Sequence, residues 1–216
     1  MSEVIAQRTD AGSTAAIPPP VVVPAPVVAS PAVVGVPLFV IGSIALGLAD
    51  VGFVPAASAG AAVPIIMTAT GIGLLFAALW AASQAQNAVA AIFAIFAGFW
   101  LSYAALFLGL VHGWYGVAAA DVARTQELYL VSWMVLIGLL TLASLRLPLA
   151  FTLIFGLITI ALFLTLLGVA NASGSTIKLA GYVVFAFAAI GAYLFYDAMN
   201  QACGGKPMPT GAPLIH

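Results

Sequence analysis

Hydrophobic residues dominate six long segments of the chain, and short polar stretches separate these segments. Each segment has the roughly 17–25 residues that a helix needs to cross the ~30 Å hydrocarbon core of a bilayer. None shows the alternating pattern of a membrane β-strand, so the segments predict helices. The predicted transmembrane helices cover residues 33–54, 62–82, 88–112, 127–145, 149–170 and 179–200.

The polar residues of the first segment fall at helical spacing. Phe39, Ser43, Leu46 and Asp50 recur every three or four positions and therefore share one face. A carboxylate placed in hydrocarbon costs about 2.5–3.5 kcal/mol or more, so Asp50 is a candidate functional residue unless it lies at the membrane interface. The pattern indicates the wall of a pathway inside the membrane.

Composition favours an integral membrane protein and excludes several functions. Hydrophobic residues make up 64% of the 216 residues and charged residues only 5%, against about 25% charged residues in soluble domains. The net charge of −1 provides no basic surface for nucleic acid, and a single cysteine excludes an internal disulfide. No motif for catalysis, metal, phosphate or haem is recognisable, so we expect neither an enzyme nor a cofactor.

Both ends of the chain are rich in proline or glycine. Residues 1–30 predict an extended, disordered tail, residues 31–200 a six-helix transmembrane domain, and residues 201–216 a flexible tail. Six spans place both termini on one side of the membrane. The positive-inside rule favours the cytoplasm for that side, because three basic residues lie there against two on the other side: Arg8, Arg146 and Lys206 against Arg124 and Lys178.

Aromatic residues form a stripe along the third segment, and we interpret it as helix–helix packing rather than a pore lining. We also expect Asp197, near the end of the sixth segment, to lie at the membrane interface. The stripe consists of Phe93, Phe96, Trp100, Tyr103 and Phe107.

Short motifs occur in a characteristic order along the segments. Residues 30–35 read Ser-Pro-Ala-Val-Val-Gly, and residues 50–53 read Asp-Val-Gly-Phe. The third segment contains Gly-Phe-Trp-Leu-Ser at 98–102, the fifth Leu-Ile-Thr at 157–159, and the sixth Ala-Gly-Tyr at 180–182. In this order and spacing the chain resembles the acetate uptake transporter family, also called succinate–acetate permeases, whose first span begins Asn-Pro-Ala-Pro-Leu-Gly.

The resemblance implies an all-α plasma-membrane protein with six helices per subunit, a pathway within each subunit and a hexameric ring. It implies passage of acetate or similar small monocarboxylates, in some members succinate, through a channel or by proton symport. By register, the family's apolar constriction falls on Phe39, Phe96 and Ile158. Further pathway candidates are Ser43, Asp50, Trp100, Thr159 and Tyr193, and the family signature falls on Ser30, Pro31, Ala32 and Gly35.

The chain departs from the family's pattern at several polar positions. A family Gln and Glu of span two align with Leu74 and Ala81, paired threonines of span one align with Gly42 and Ser43, and the constriction's Tyr is Phe96. These losses leave two alternatives open. One is a channel for a small neutral solute such as urea, an amide or an undissociated acid. The other is a non-transporting membrane protein that retains the fold.

Overall fold

The computed structural model describes residues 30–215, and the predicted tail of residues 1–30 lies outside this range except for Ser30. Among the described residues, six helical spans of 20–29 residues are long and apolar enough to cross a membrane. The predicted all-helical, six-span fold is therefore confirmed. The α-helices are α1 (Ala32–Val51), α2 (Gly73–Ser83), α3 (Asn87–Val111), α4 (Val122–Ala143), α5 (Leu149–Ala170) and α6 (Gly174–Ala202).

The second span, Gly60–Ser83, is only partly α-helical. A 3₁₀-helix, Ala56–Ala62, leads into a π-helix, Ile65–Ile72, which we call the π segment, and α2 completes the span. Extended π-helices are rare, since most π-helical backbone occurs as single-turn bulges. The hydrophobic pattern of the segment predicts a helix but does not distinguish a π-helix from an α-helix.

Three helix ends differ from the prediction, and at two of them, the end of α1 and the start of α6, the difference comes from local capping. α1 stops at Val51 because Gly52 adopts φ +86°, and its backbone N–H donates to Ala49 O at 3.1 Å. α4 starts at Val122, ahead of its apolar stretch, with a polar first turn. α6 starts at Gly174, where Ser173 Oγ accepts a hydrogen bond from a backbone N–H in the first turn.

The spans form a closed ring. α1 packs against α6 and against the π segment, α2 against α3, α4 against α5, and α5 against α6. Aromatic residues close the ring between α3 and α4, where the Phe99 and Trp133 ring centroids are 5.5 Å apart and Tyr129 Oη donates to Phe99 O at 2.7 Å. The spans alternate in direction, so the two faces of the ring are defined here as the Asp50 end and the Asp197 end.

Glycines allow α1 and the second span to approach closely. A Cβ on Gly42 would collide with the side chain of Thr70, and a Cβ on Gly73 would lie 2.5 Å from Leu38 Cδ1. Each glycine therefore receives a side chain from the opposite helix. This is the close packing that small residues permit between helices in lipid.

The C-terminal segment, residues 203–215, contains no helix but is bonded to the Asp197 end of the ring. The Ala150 N–H donates to Thr210 O at 3.0 Å, and the Leu214 N–H donates to Leu145 O at 3.0 Å. Asp197 is 7% exposed and accepts hydrogen bonds from the Met208 N–H at 2.7 Å and from Gln201 Nε2 at 3.0 Å. The flexible tail predicted from the sequence stays a prediction, and the variant Asp197→Ala tests it.

Replacing Asp197 with alanine is expected to release the C-terminal segment. A hydrogen bond to a charged group contributes about 1.5–3 kcal/mol, so amide hydrogen exchange at Met208 should accelerate about tenfold or more. Asp121→Ala is the matched control, because Asp121 is exposed at the Asp50 end. Unchanged protection of Met208 in Asp197→Ala would show that the carboxylate does not hold the segment.

Candidate functional site

Five cavities lie in a row through the ring and share lining residues. Two cavities of 360 and 340 Å³ lie at the Asp50 end. A cavity of 40 Å³, here the central cavity, follows, and then one of 50 Å³ lined by several phenylalanines, here the phenylalanine cavity. A cavity of 680 Å³ lies at the Asp197 end. The row therefore extends from one face of the ring to the other, with its smallest cavities in the middle.

Phe39 and Phe96 form the boundary between the two smallest cavities, since both rings line both of them. Their centroids are 5.0 Å apart in an edge-to-face arrangement, and both side chains are buried. Ile158 lines the central cavity beside this pair. The three residues on which the family resemblance places a constriction therefore line one cavity, and we call the Phe39–Phe96 pair the neck.

Two further phenylalanines hold the neck rings. Phe187 on α6 lies 5.8 Å from Phe39 between ring centroids, and Phe155 on α5 stacks on Phe96 at 5.8 Å. Neither residue was predicted from the sequence as part of the site. On α5, Phe155, Ile158 and Thr165 follow helical spacing on one face, and all three line a cavity of the row. That spacing on α5 is the sequence signal from which Phe155 could have been predicted.

Asp50 lines three of the cavities and lies where they meet. Its carboxylate makes no hydrogen bond or ion pair with any residue of 30–215. A Cβ on Gly181 would lie 2.9 Å from Asp50 Cβ, so α6 packs closely behind Asp50. Lys178 lines one of the same cavities and brings a positive charge to this end of the row.

Trp100 and Ser43 are both buried near the neck but differ in their hydrogen bonding. Trp100 lines the central cavity and is 2% exposed, and its indole N–H has no hydrogen-bond partner among residues 30–215. Ser43 Oγ donates to Phe39 O at 2.8 Å and lines none of the five cavities. Ser43 therefore bonds within α1, at the turn that carries Phe39.

Thr159 and Tyr193 lie away from the cavities. Thr159 Oγ1 donates to Phe155 O at 2.9 Å and lies 3.1 Å from Thr141 Oγ1 on α4, so it belongs to the α4–α5 contact. Tyr193 is 36% exposed, and its hydroxyl donates to Pro209 O at 2.8 Å in the C-terminal segment. Neither of these predicted pathway residues joins the neck residues.

The residues of the family signature surround the start of α1. Ser30 and Ala32 line the cavity at the Asp197 end. Pro31 is buried, and its carbonyl accepts the Gly35 N–H at 2.9 Å. A Cβ on Gly35 would collide with the Phe93 ring, so this glycine lets α3 approach α1. Two of the four signature residues therefore line the cavity at this end, and Gly35 allows close packing of α1 against α3.

The aromatic stripe of α3 follows the row of cavities along its length. Every member lines at least one cavity, so the interpretation as packing alone is incomplete. Phe93 and Phe96 line the phenylalanine cavity, Trp100 the central cavity, and Tyr103 and Phe107 both large cavities at the Asp50 end.

Comparisons with known proteins identify the family. A comparison with curated proteins returns no match. The fold is similar to that of the bacterial acetate channel SatP, with 24% identity and a TM-score of 0.74 over 85% of this chain and 99% of that one. Residues 14–204 match the model of the GPR1/FUN34/yaaH family, which confirms the family resemblance seen in the sequence. Because this match spans most of its length, the chain belongs to the GPR1/FUN34/yaaH family.

Proposed function

We propose that this multi-pass membrane protein is a channel or transporter for acetate and similar small monocarboxylates. The observation that carries the proposal is the row of cavities that crosses the ring and narrows at Phe39 and Phe96. A solute would enter past Asp50, cross the neck beside Ile158, and leave through the cavity at the Asp197 end. The proposal assigns conduction to the protein and no catalytic step.

The lining suits a small solute with one polar end. The neck is apolar, and the central cavity offers polar side chains only at Asp50, Thr165 and Trp100. A narrow apolar passage with a few polar groups excludes large or hydrated solutes and admits small ones. The fold shared with the acetate channel SatP supports acetate as the first substrate to test.

In the sequence, apolar Leu74 and Ala81 stand where the family has polar residues, and this difference favoured a channel for a neutral solute. Both residues are fully buried and line none of the five cavities, so polar groups there would not face a solute. These departures from the family therefore do not argue against a carboxylate. A liposome swelling assay with sodium acetate and with urea separates the two solutes: swelling in acetate supports the proposal, and swelling in urea alone contradicts it.

We further propose that the protein forms a hexameric ring in the plasma membrane. Both termini then lie on the cytoplasmic side. The family resemblance supports the hexamer, and native mass spectrometry of the protein released from nanodiscs tests it. Six copies of the 21.9 kDa chain are the expected assembly. The cavities lie within one chain, so each subunit would carry its own pathway.

The single cysteine tests the orientation without further engineering. Cys203 is exposed and follows α6 at the Asp197 end, where α1 begins and α6 ends. A membrane-impermeant maleimide should leave Cys203 unlabelled in intact spheroplasts and label it after permeabilisation. Labelling in intact spheroplasts would place the termini outside.

A further inference from the structure

The C-terminal segment borders the opening of the cavity at the Asp197 end. Gln201 and Ala202 line this cavity and are exposed, so the cavity opens to the surface where α6 ends. Thr210 of the C-terminal segment lines the same cavity. Residues that follow the last helix therefore form part of the wall at the opening.

On one side of the opening, side chains of α6 hold the C-terminal segment. Asn200 Nδ2 donates to Lys206 O at 2.7 Å, and Tyr193 Oη donates to Pro209 O at 2.8 Å. Neither Asn200 nor Tyr193 lines any of the five cavities. These two hydrogen bonds therefore fix the segment from outside the row of cavities.

On the other side, the segment is bonded to the start of α5 and to the turn before it. The Ala150 N–H donates to Thr210 O, and the Leu214 N–H donates to Leu145 O. α5 starts and α6 ends at this face of the ring, and both helices line the cavity. The C-terminal segment therefore crosses between the ends of two cavity walls.

Asp197 is the charged residue of this contact. Its carboxylate lines the cavity and accepts the Met208 N–H and Gln201 Nε2, one on each oxygen. Within residues 30–215, no basic side chain forms an ion pair with it. A buried carboxylate is costly unless it is hydrogen-bonded, and hydrogen bonds to ionised groups are the stronger ones. The bond from the backbone of Met208 therefore satisfies Asp197 and ties down the segment at once.

Gly204 joins the segment to the end of α6. Its φ of +88° lies in the left-handed region that glycine adopts without strain. A Cβ placed on Gly204 would have no atom within 4 Å. The chain is therefore not packed against a neighbour at this residue, which suits a hinge.

We propose that the C-terminal segment is a strap that narrows the opening at the Asp197 end, with Asp197 as its latch and Gly204 as its hinge. When the latch is broken, the segment turns away from α5 and the opening widens. The effect on a solute that leaves by this route rests on the proposed function. The contacts of the strap do not depend on it.

Thiol labelling inside the cavity measures how open this end is. Val36 lines both the cavity at the Asp197 end and the phenylalanine cavity, so it lies inward of the opening. Full-length Val36→Cys protein in a Cys203→Ser background is labelled in nanodiscs with N-ethylmaleimide and with a bulky uncharged maleimide. Asp197→Ala should raise the rate of the bulky reagent relative to the small one about tenfold, because a hydrogen bond to a charged group is lost.

A double variant releases the strap without changing any residue that lines a cavity. Tyr193→Phe with Asn200→Ala removes two neutral hydrogen bonds to the segment, so the same ratio of rates should rise about fivefold. Tyr196→Phe is the matched control. Tyr196 is 63% exposed on α6 and makes no side-chain hydrogen bond within residues 30–215, so its variant should label like the parent protein.

Hydrogen exchange at Met208, measured on the same variants, shows whether the segment has been released. Faster exchange with unchanged labelling of Val36→Cys overturns the strap. Faster labelling in Asp197→Ala but not in the double variant also overturns it, because the smaller side chain then widens the cavity by itself. Labelling requires no conduction, so absence of acetate flux overturns the proposed function and leaves the strap standing.

Discussion

Replacing Phe39 with alanine is expected to open the neck and to raise the ratio of succinate flux to acetate flux at least about tenfold. The Phe39 ring separates the two smallest cavities and contacts Phe96 and Phe187. Its removal joins those cavities into one passage. Truncating a buried phenylalanine also costs about 3–5 kcal/mol of stability. Thermal unfolding and size-exclusion profiles of Phe39→Ala must therefore accompany the fluxes of labelled succinate and acetate in proteoliposomes.

Phe163→Ala is the matched control for Phe39→Ala. Phe163 is 49% exposed on the outer face of α5 and lines none of the cavities, so its loss should leave both fluxes unchanged. Phe39→Leu is a milder second variant that keeps the position filled. Folded Phe39→Ala protein with the wild-type ratio of succinate to acetate flux would show that Phe39 does not limit the passage.

Replacing Asp50 with asparagine is expected to increase acetate flux at neutral pH about tenfold or more. Asp50 lies where three cavities meet, and an ionised carboxylate there opposes an arriving anion. At a separation of about 6 Å and an effective dielectric constant of about 20, this repulsion is about 3 kcal/mol. Asparagine keeps the shape of the side chain and supplies a neutral N–H donor. Initial rates of labelled acetate uptake measure the effect.

The charges around Asp50 determine the choice of controls. Lys178 is a cation lining one of the same cavities, and Tyr103 lines two of them. Asp121→Asn removes a carboxylate at the same end of the ring but outside the cavities, so it should change acetate flux little. If Asp50→Asn instead takes up acetate more slowly than wild type, the Asp50 carboxyl takes part in transport, and its charge is not simply a barrier to the anion.

Hydropathy predicts the spans because lipid requires long apolar helices with internally bonded backbones. It places the ends less well, because α4 and α6 begin in polar turns that do not contribute to the apolar signal. The π segment was not predicted, since its apolar residues are compatible with either helical register. The bonding of residues 203–215 to Leu145 and Asp197 depends on long-range contacts that the local sequence does not encode.

The candidate site was predictable only in part. Phe39, Phe96, Ile158 and Asp50 line one cavity of the row. Their roles in a constriction and a pathway stay predictions. Thr159 carries a hydroxyl of the kind that can line a pathway, but this hydroxyl donates to its own helix and contacts Thr141 on α4. Helical periodicity alone does not tell a face that lines a cavity from a face that packs against a neighbouring helix.

Uptake of radiolabelled acetate into proteoliposomes at acidic and at neutral pH tests the central claim most directly, with unlabelled formate, succinate and urea as competitors. The proposed function predicts uptake above that of empty liposomes, with inhibition by formate and none by urea. Absence of uptake at both pH values, from protein shown to be folded, would contradict conduction of small carboxylates by this chain.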